Sequence, residues 1–301
     1  MSRSPAFRAA LWMSGSIASF SLMAIAGKQI GHQLDSFEIM TARSAIGFCL
    51  VLLLAAATGR LSEISADRLG GHLLRNLIHF TGQNLWFWAL TMIPLAQLFA
   101  LEFTQPIWVI LLSPLLLGEH LTRVRALSAL LGFIGVIIVA RPDLGHLDLG
   151  LLAAAGSALF FAATNIATKK LTKGQSIIAI LFWLTLMQFG FGLAASLADG
   201  AIHLPTLATL PWLVVIGFCG LTAHYALTSA LSLAPASYVI PLDFLRLPLI
   251  AVVGAVLYAE PLDPFVFAGA AVIFCGIWLN VRAEIGPMRN TKTSKPSDVA
   301  S

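Results

Sequence analysis

Residues 93–122, IPLAQLFALEFTQPIWVILLSPLLLGEHLT, and residues 234–263, APASYVIPLDFLRLPLIAVVGAVLYAEPLD, decide how this sequence folds. Each carries a proline at its second position, then an apolar run long enough to cross a bilayer, which takes about 20 such residues. Each places one carboxylate inside that run, Glu102 or Asp243, and ends on a glutamate, Glu119 or Glu260. Each also holds two inner prolines, Pro106 and Pro114 in the first and Pro241 and Pro248 in the second. A proline removes a backbone donor, so both runs read as helices interrupted close to a charged side chain.

The two stretches are one repeat unit seen twice, because a constant offset of 141 aligns the chain with itself well beyond them. Gly15, Ser16, Phe20 and Lys28 meet Gly156, Ser157, Phe161 and Lys169. Gln83 and Asn84 meet His224 and Tyr225, Phe103 meets Phe244, and Gly135 meets Gly276. The expected organisation is a short segment 1–8, a first repeat over 9–142, a second over 148–282, and a disordered tail over 283–301.

Composition sets the environment of those repeats. Hydrophobic residues are 58% of the chain and charged ones 11%, against roughly 25% charged in a soluble domain. Apolar windows place spans near 9–27, 37–57, 71–91, 94–117, 124–140, 148–168, 176–197, 207–231, 236–258 and 264–282, which predicts an all-α integral membrane protein of ten transmembrane helices. Arg3 and Arg8 before Ala24-Ile25-Ala26 resemble a signal peptide, yet that stretch is long enough to span and has a counterpart in the second repeat, so it reads as a retained helix. Cys49, Cys219 and Cys275 all fall in apolar segments and read as packing residues.

Charge sets the orientation. With the amino terminus inside, the cytoplasmic segments collect Arg60, Arg68, Arg75, Arg123, Arg125, Lys169, Lys170, Lys173 and Arg282, and the opposite side holds Lys28 and Arg141. This bias predicts a bacterial-type inner membrane location with both termini in the cytoplasm. The net charge of +4 then reads as a collar beside anionic membrane lipids, with no nucleic-acid partner. Five spans per repeat is an odd number, so the second repeat enters the membrane with inverted topology, the arrangement used by carriers that alternate access to a central site.

Ionisable groups inside spans are the first candidates for that site, since each costs at least about 2.5–3.5 kcal/mol at mid-bilayer. They are Arg43, Glu102, Asp243 and Arg246. Asp243 and Arg246 are three apart on one helix face and predict an ion pair, while Arg43 either serves the site or snorkels to the interface. His79, Gln83, Asn84 and Trp86 in the third span, with His224 and Tyr225 in the eighth, add hydrogen-bonding groups and rings. Gln97, Phe99, Phe103, Gln105 and Trp108 extend them in the fourth. Glu119 and Glu260 read as helix-end partners, Lys28 and Lys169 as interface anchors, and Gly132, Gly135, Gly269 and Gly276 as close-approach points between helices.

Other chemistries find little support. Gly190-Phe191-Gly192-Leu193-Ala194-Ala195 fits a dinucleotide fingerprint only on paper, since no strand precedes it. No zinc-protease, phosphate-loop or serine-protease motif appears in the sequence, which argues against an enzyme and leaves an intramembrane enzyme as the rival of another class. No ring-forming filter of a channel is legible. Metal sites and cofactors are not expected, and a homodimer is compatible with the sequence without being demanded by it.

The paired segments 93–122 and 234–263, each followed by a glycine-bearing helix, resemble the drug/metabolite transporter superfamily in its EamA-type branch, over nearly the whole chain. The resemblance implies a ten-helix carrier with a central cavity between its halves, moving a small-molecule substrate such as an amino acid, a vitamin or a nucleotide-like metabolite. Among the cargoes of similar family members, riboflavin suits the amides and rings best. Amino acids, S-adenosylmethionine and drugs, with export as well as import, are the alternatives.

Overall fold

The computed structural model describes residues 4–93, 95–140, 149–200, 203, 205–258 and 264–285. Among them there is no strand. Helices α1 (Pro5–Ile30), α2 (Ser36–Ala57) and α3 (Leu69–Met92) are continuous. The next segment is split into α4 (Leu95–Glu102) and α5 (Gln105–Leu117), and α6 (Arg123–Ala140) follows. The second half repeats the order with α7 (Leu149–Leu171), α8 (Ile177–Asp199) and α9 (Leu210–Leu233). A split segment then comprises α10 (Ala236–Val239), a 3₁₀ turn (Ile240–Leu245) and α11 (Arg246–Tyr258), before the closing α12 (Pro264–Ile285). Pro94, Arg141, Glu260 and the tail lie outside the described residues, as do the side chains of Gln97 and Pro248.

Local chemistry explains where the helices begin. Ser4 accepts from the Phe7 backbone ahead of Pro5, whose fixed φ suits the first helical turn. Asp35 and Glu38 form a reciprocal capping box at the start of α2. Ser176 caps α8 by accepting from Ala179 N at 3.0 Å.

Among the described residues, five helices are long and apolar enough to cross a membrane: α1, α2, α7, α8 and α9. The split segments fall short because each half-helix is brief. In α3 the apolar run is broken by His72, Arg75, Asn76, His79 and Gln83, all buried. Large apolar side chains such as Leu53, Leu115, Leu152 and Phe267 stand on the outside, as expected where the surrounding medium is hydrocarbon.

The helices pack in pairs that cross between halves. α1 lies along α9, α3 along α7, α2 along α8, and α6 along α12. Exchanging the two halves turns the first pair into the second and leaves the other two unchanged, so the packing has pseudo-twofold symmetry. Small residues set the closest approach. A Cβ on Gly135 would stand 2.7 Å from the Gly269 carbonyl, and one on Gly276 would stand 2.8 Å from the Ser128 carbonyl. α6 and α12 thus meet nearly backbone to backbone. Glu119 caps across the halves too: it accepts from Ala236 N at 2.9 Å, Ser237 N at 3.1 Å and Ser237 Oγ at 2.6 Å, which satisfies the start of α10.

Candidate functional site

The two helix breaks coincide in the repeat. The α4–α5 gap at Phe103 and Thr104 lies 141 residues before Phe244 and Leu245, the end of the 3₁₀ turn. Pro106 sits in the first turn of α5 and has no N–H to offer the Glu102 carbonyl four residues back. Pro241 opens the 3₁₀ turn in the same way. Pro114, by contrast, lies within α5 without ending it. Phe103 and Phe244 touch across the breaks with ring centroids 6.0 Å apart, so the interruptions face each other at the molecule's centre.

One guanidinium holds the breaks together. Arg246 Nη2 donates to Asp243 Oδ2 at 2.7 Å and also to Glu102 of the other half. Trp86 Nε1 donates to the second oxygen of Glu102 at 2.6 Å. The Arg246 guanidinium also lies 5.3–5.4 Å from the ring centroids of Phe20, Phe99 and Phe103, an aromatic cage that favours a desolvated cation. With both carboxylates ionised the cluster carries a formal charge of −1, and Asp243 Oδ1 has no partner. The predicted Asp243 and Arg246 pair is present, and the structure adds Glu102 as its third member.

Beside this cluster lies a cavity of about 60 Å³ lined by Ser16, His79, Gln83, Trp86, Gln105, Thr164, Asn165 and His224, together with Glu102, Asp243 and Arg246. A row of rings crosses it: Phe20 to His224 at 5.3 Å, His224 to His79 at 4.8 Å, and His79 to Phe161 at 6.1 Å between centroids. Phe20 and Phe161, which the offset pairs, close the two ends of the row. Neither imidazole has a hydrogen-bonded nitrogen. Unsatisfied donors and acceptors beside flat apolar faces are what a planar polar solute needs, and the row must part to admit one.

Not every candidate lines this cavity. Phe103 reaches it only through its stacking on Arg246. Arg43 is buried at 5% exposure, so it does not snorkel; it donates to Gln83 Oε1 at 2.7 Å and lines a smaller neighbouring cavity. Asn84 donates to the Phe80 carbonyl and faces Phe37 and Trp88. Tyr225 stands edge-on to Trp12, and Trp108 is 41% exposed on the outer face. Lys169 does more than anchor at an interface, since its Nζ donates to the Leu231 and Ala234 carbonyls and so caps the end of α9.

Arg75 corrects the sequence reading that placed it in the cytoplasmic collar. It lies inside α3 at 2% exposure and donates to Thr168 Oγ1 at 3.1 Å and Asn76 Oδ1 at 2.8 Å. Asn165, Thr164 and Gln188 were likewise passed over. Their signal was present as polar residues in otherwise apolar helices, and Arg75, His79 and Gln83 recur at intervals of four along one helix face.

A bundle of apolar helices, broken at equivalent points around a closed polar pocket, defines a membrane-embedded carrier. The chain belongs to the EamA-like transporter family, which matches residues 7–141 and again residues 148–282. It is similar to the riboflavin transporter of Vibrio cholerae, with 30% identity over 273 residues covering 89% of this chain and 91% of that protein. It is also similar to the S-adenosylmethionine uptake transporter of Rickettsia bellii, with 26% identity covering 87% of this chain and 89% of that protein. A solved crystal structure shares the fold with a TM-score of 0.76 at 18% identity, over 92% of this chain and 96% of the other.

Proposed function

We propose that this chain is a secondary carrier that takes up riboflavin across the inner membrane by alternating access. In this reading the chain spans the bilayer ten times with both termini cytoplasmic, and the repeats 9–142 and 148–282 are inverted copies that rock about the pocket. The exchange symmetry of the packing supports the rocking motion, because an inverted pair can swap conformations and present one site to either side. Lateral closure of the pocket by Phe20, His224, His79 and Phe161 supports an occluded state of that cycle.

The observation that carries the cargo is the lining itself. Rings stand beside the amides of Gln83, Gln105 and Asn165 in one cavity drawn from both halves. A flavin ring offers a flat apolar face with donors and acceptors on its edge, and its ribityl hydroxyls can bond to the amides. The test is accumulation of labelled riboflavin in a riboflavin auxotroph lacking its own uptake system. Saturable uptake of intact riboflavin is expected, and no uptake with the protein verified in the membrane would remove this cargo.

A second reading rests on the charge of the carboxylate cluster. A formal −1 with Asp243 Oδ1 unpartnered suits a cation. That cation is either a proton carried during transport or the sulfonium and ammonium groups of S-adenosylmethionine. Competition of labelled riboflavin by excess S-adenosylmethionine separates the two, since only the second makes it a competitor.

A further inference from the structure

Arg43 and Arg75 are two guanidinium groups buried at 5% and 2% exposure that form no ion pair among the described residues. Their hydrogen-bonding partners are neutral: Gln83 for Arg43, and Thr168 with Asn76 for Arg75. A formal charge of +2 therefore sits inside the bundle on α2 and α3 with no counter-charge beside it among the described residues. Glu38, the acidic residue on α2, is already engaged by the Asp35 and His203 backbones and the His203 ring. A cation inside a membrane protein is held by a partner or lines a pathway.

The surroundings of Arg43 contain an opening for such a partner. A cavity of about 10 Å³, room for one water-sized occupant, is bounded by Arg43 and Ser44 from α2, Thr185 and Gln188 from α8, and Gly220 and His224 from α9. Arg43 Nε has no hydrogen-bond partner, nor does either nitrogen of His224. Gly220 lets the guanidinium lie flat against α9, since a Cβ there would stand 2.4 Å from Arg43 Nε. The bare backbone at Gly220 seats the charge, and Arg43 Nε is left without an acceptor.

We propose that this smaller cavity is a binding site for a small anion, held by Arg43 and stabilised by the field of Arg75. His224 and Gln83 form the partition between it and the main pocket. The anion is either a free inorganic ion bound with the cargo or an acidic group of the cargo that reaches past this partition. The site does not depend on riboflavin being the cargo.

The test is thermal unfolding of the purified, cargo-free chain in nanodiscs of neutral lipid, in sodium bromide against sodium gluconate at equal ionic strength. A free-ion site gives a saturable rise of a few degrees with bromide, lost in Arg43→Gln. Gln188→Glu places a fixed carboxylate in the same cavity, at the loss of one amide donation to the Asn76 carbonyl, and guards against misfolding of the arginine variant; it ignores bromide. If bromide has no effect on the wild type, binding of riboflavin 5′-phosphate about tenfold tighter than riboflavin, with the preference lost in Arg43→Gln, assigns the anion to the cargo. Absence of both effects overturns the proposal, as does a bromide response unchanged in Arg43→Gln. A bromide response lost in Arg43→Gln while neither flavin binds leaves the anion site standing and retires riboflavin.

Discussion

Two of the buried charge groups in this bundle are built on opposite principles. At the helix breaks, Arg246 is shared by Glu102 and Asp243 and caged by three rings, so its charge is answered within the protein. On α2 and α3, Arg43 and Arg75 are answered by neutral groups, two amides, a thioether and a hydroxyl. The first group joins the halves and makes one wall of the pocket. The second leaves a charge for something outside the chain to meet. The same substitution should therefore act with opposite signs in the two places.

The largest effect is expected from Arg246→Met. Removing the shared cation leaves two carboxylates buried without a counter-charge, which costs about 3–5 kcal/mol. Membrane abundance should collapse, as read by fluorescence-detected size exclusion, and transport should vanish with it. Arg43→Met is the matching change in the other group. It deletes an unanswered charge, so the unfolding temperature in halide-free buffer should hold or rise. A fall in Tm comparable to that of Arg246→Met would break the comparison and mean that Arg43 has a partner of its own.

Next in size are the isosteric carboxylate changes. Asp243→Asn keeps the volume and leaves Arg246 bonded to Glu102, so abundance should stay near wild type. Transport should fall about 10- to 100-fold, the weight of one charge-assisted hydrogen bond. Glu102→Gln should lower abundance further than Asp243→Asn does, because Glu102 also receives Trp86 and is the contact that crosses between halves. Equal behaviour of the two variants would mean that the cross-half bond adds nothing to the packing of the repeats.

How much of this was legible depends on whether the signal was local. The split helices were readable, since Pro106 and Pro241 stand 135 apart, close to the repeat offset of 141, and each interrupts a run that carries a carboxylate. The Asp243 and Arg246 pair followed from spacing on one helix. That Glu102 joins the same guanidinium was not readable, because the contact is 144 residues long and depends on how the halves dock. Asn84 was grouped with Gln83 as its neighbour, yet one residue turns the side chain by about 100° and sends it to another face. Arg75 was assigned by its nearness to a loop, whereas the interval of four shared with His79 and Gln83 placed it on the buried stripe.

The smallest predicted effects come from the glycines that seat each group. A Cβ on Gly132 would stand 2.4 Å from the ring of Phe244, which is itself buried next to Asp243 and has no room to retreat. Gly132→Ala should therefore cost about 1–3 kcal/mol through overpacking and lower Tm. Gly220→Ala presses instead on the guanidinium of Arg43, a flexible side chain beside a small cavity. The guanidinium can swing aside, so Tm in gluconate should change little while the stabilisation by bromide weakens. Measured side by side, the two alanines ask whether each glycine serves its own charge group. A large loss of Tm in Gly220→Ala would show that Arg43 is as tightly held as Arg246, and the distinction between an answered and an unanswered charge would fail at its most local point.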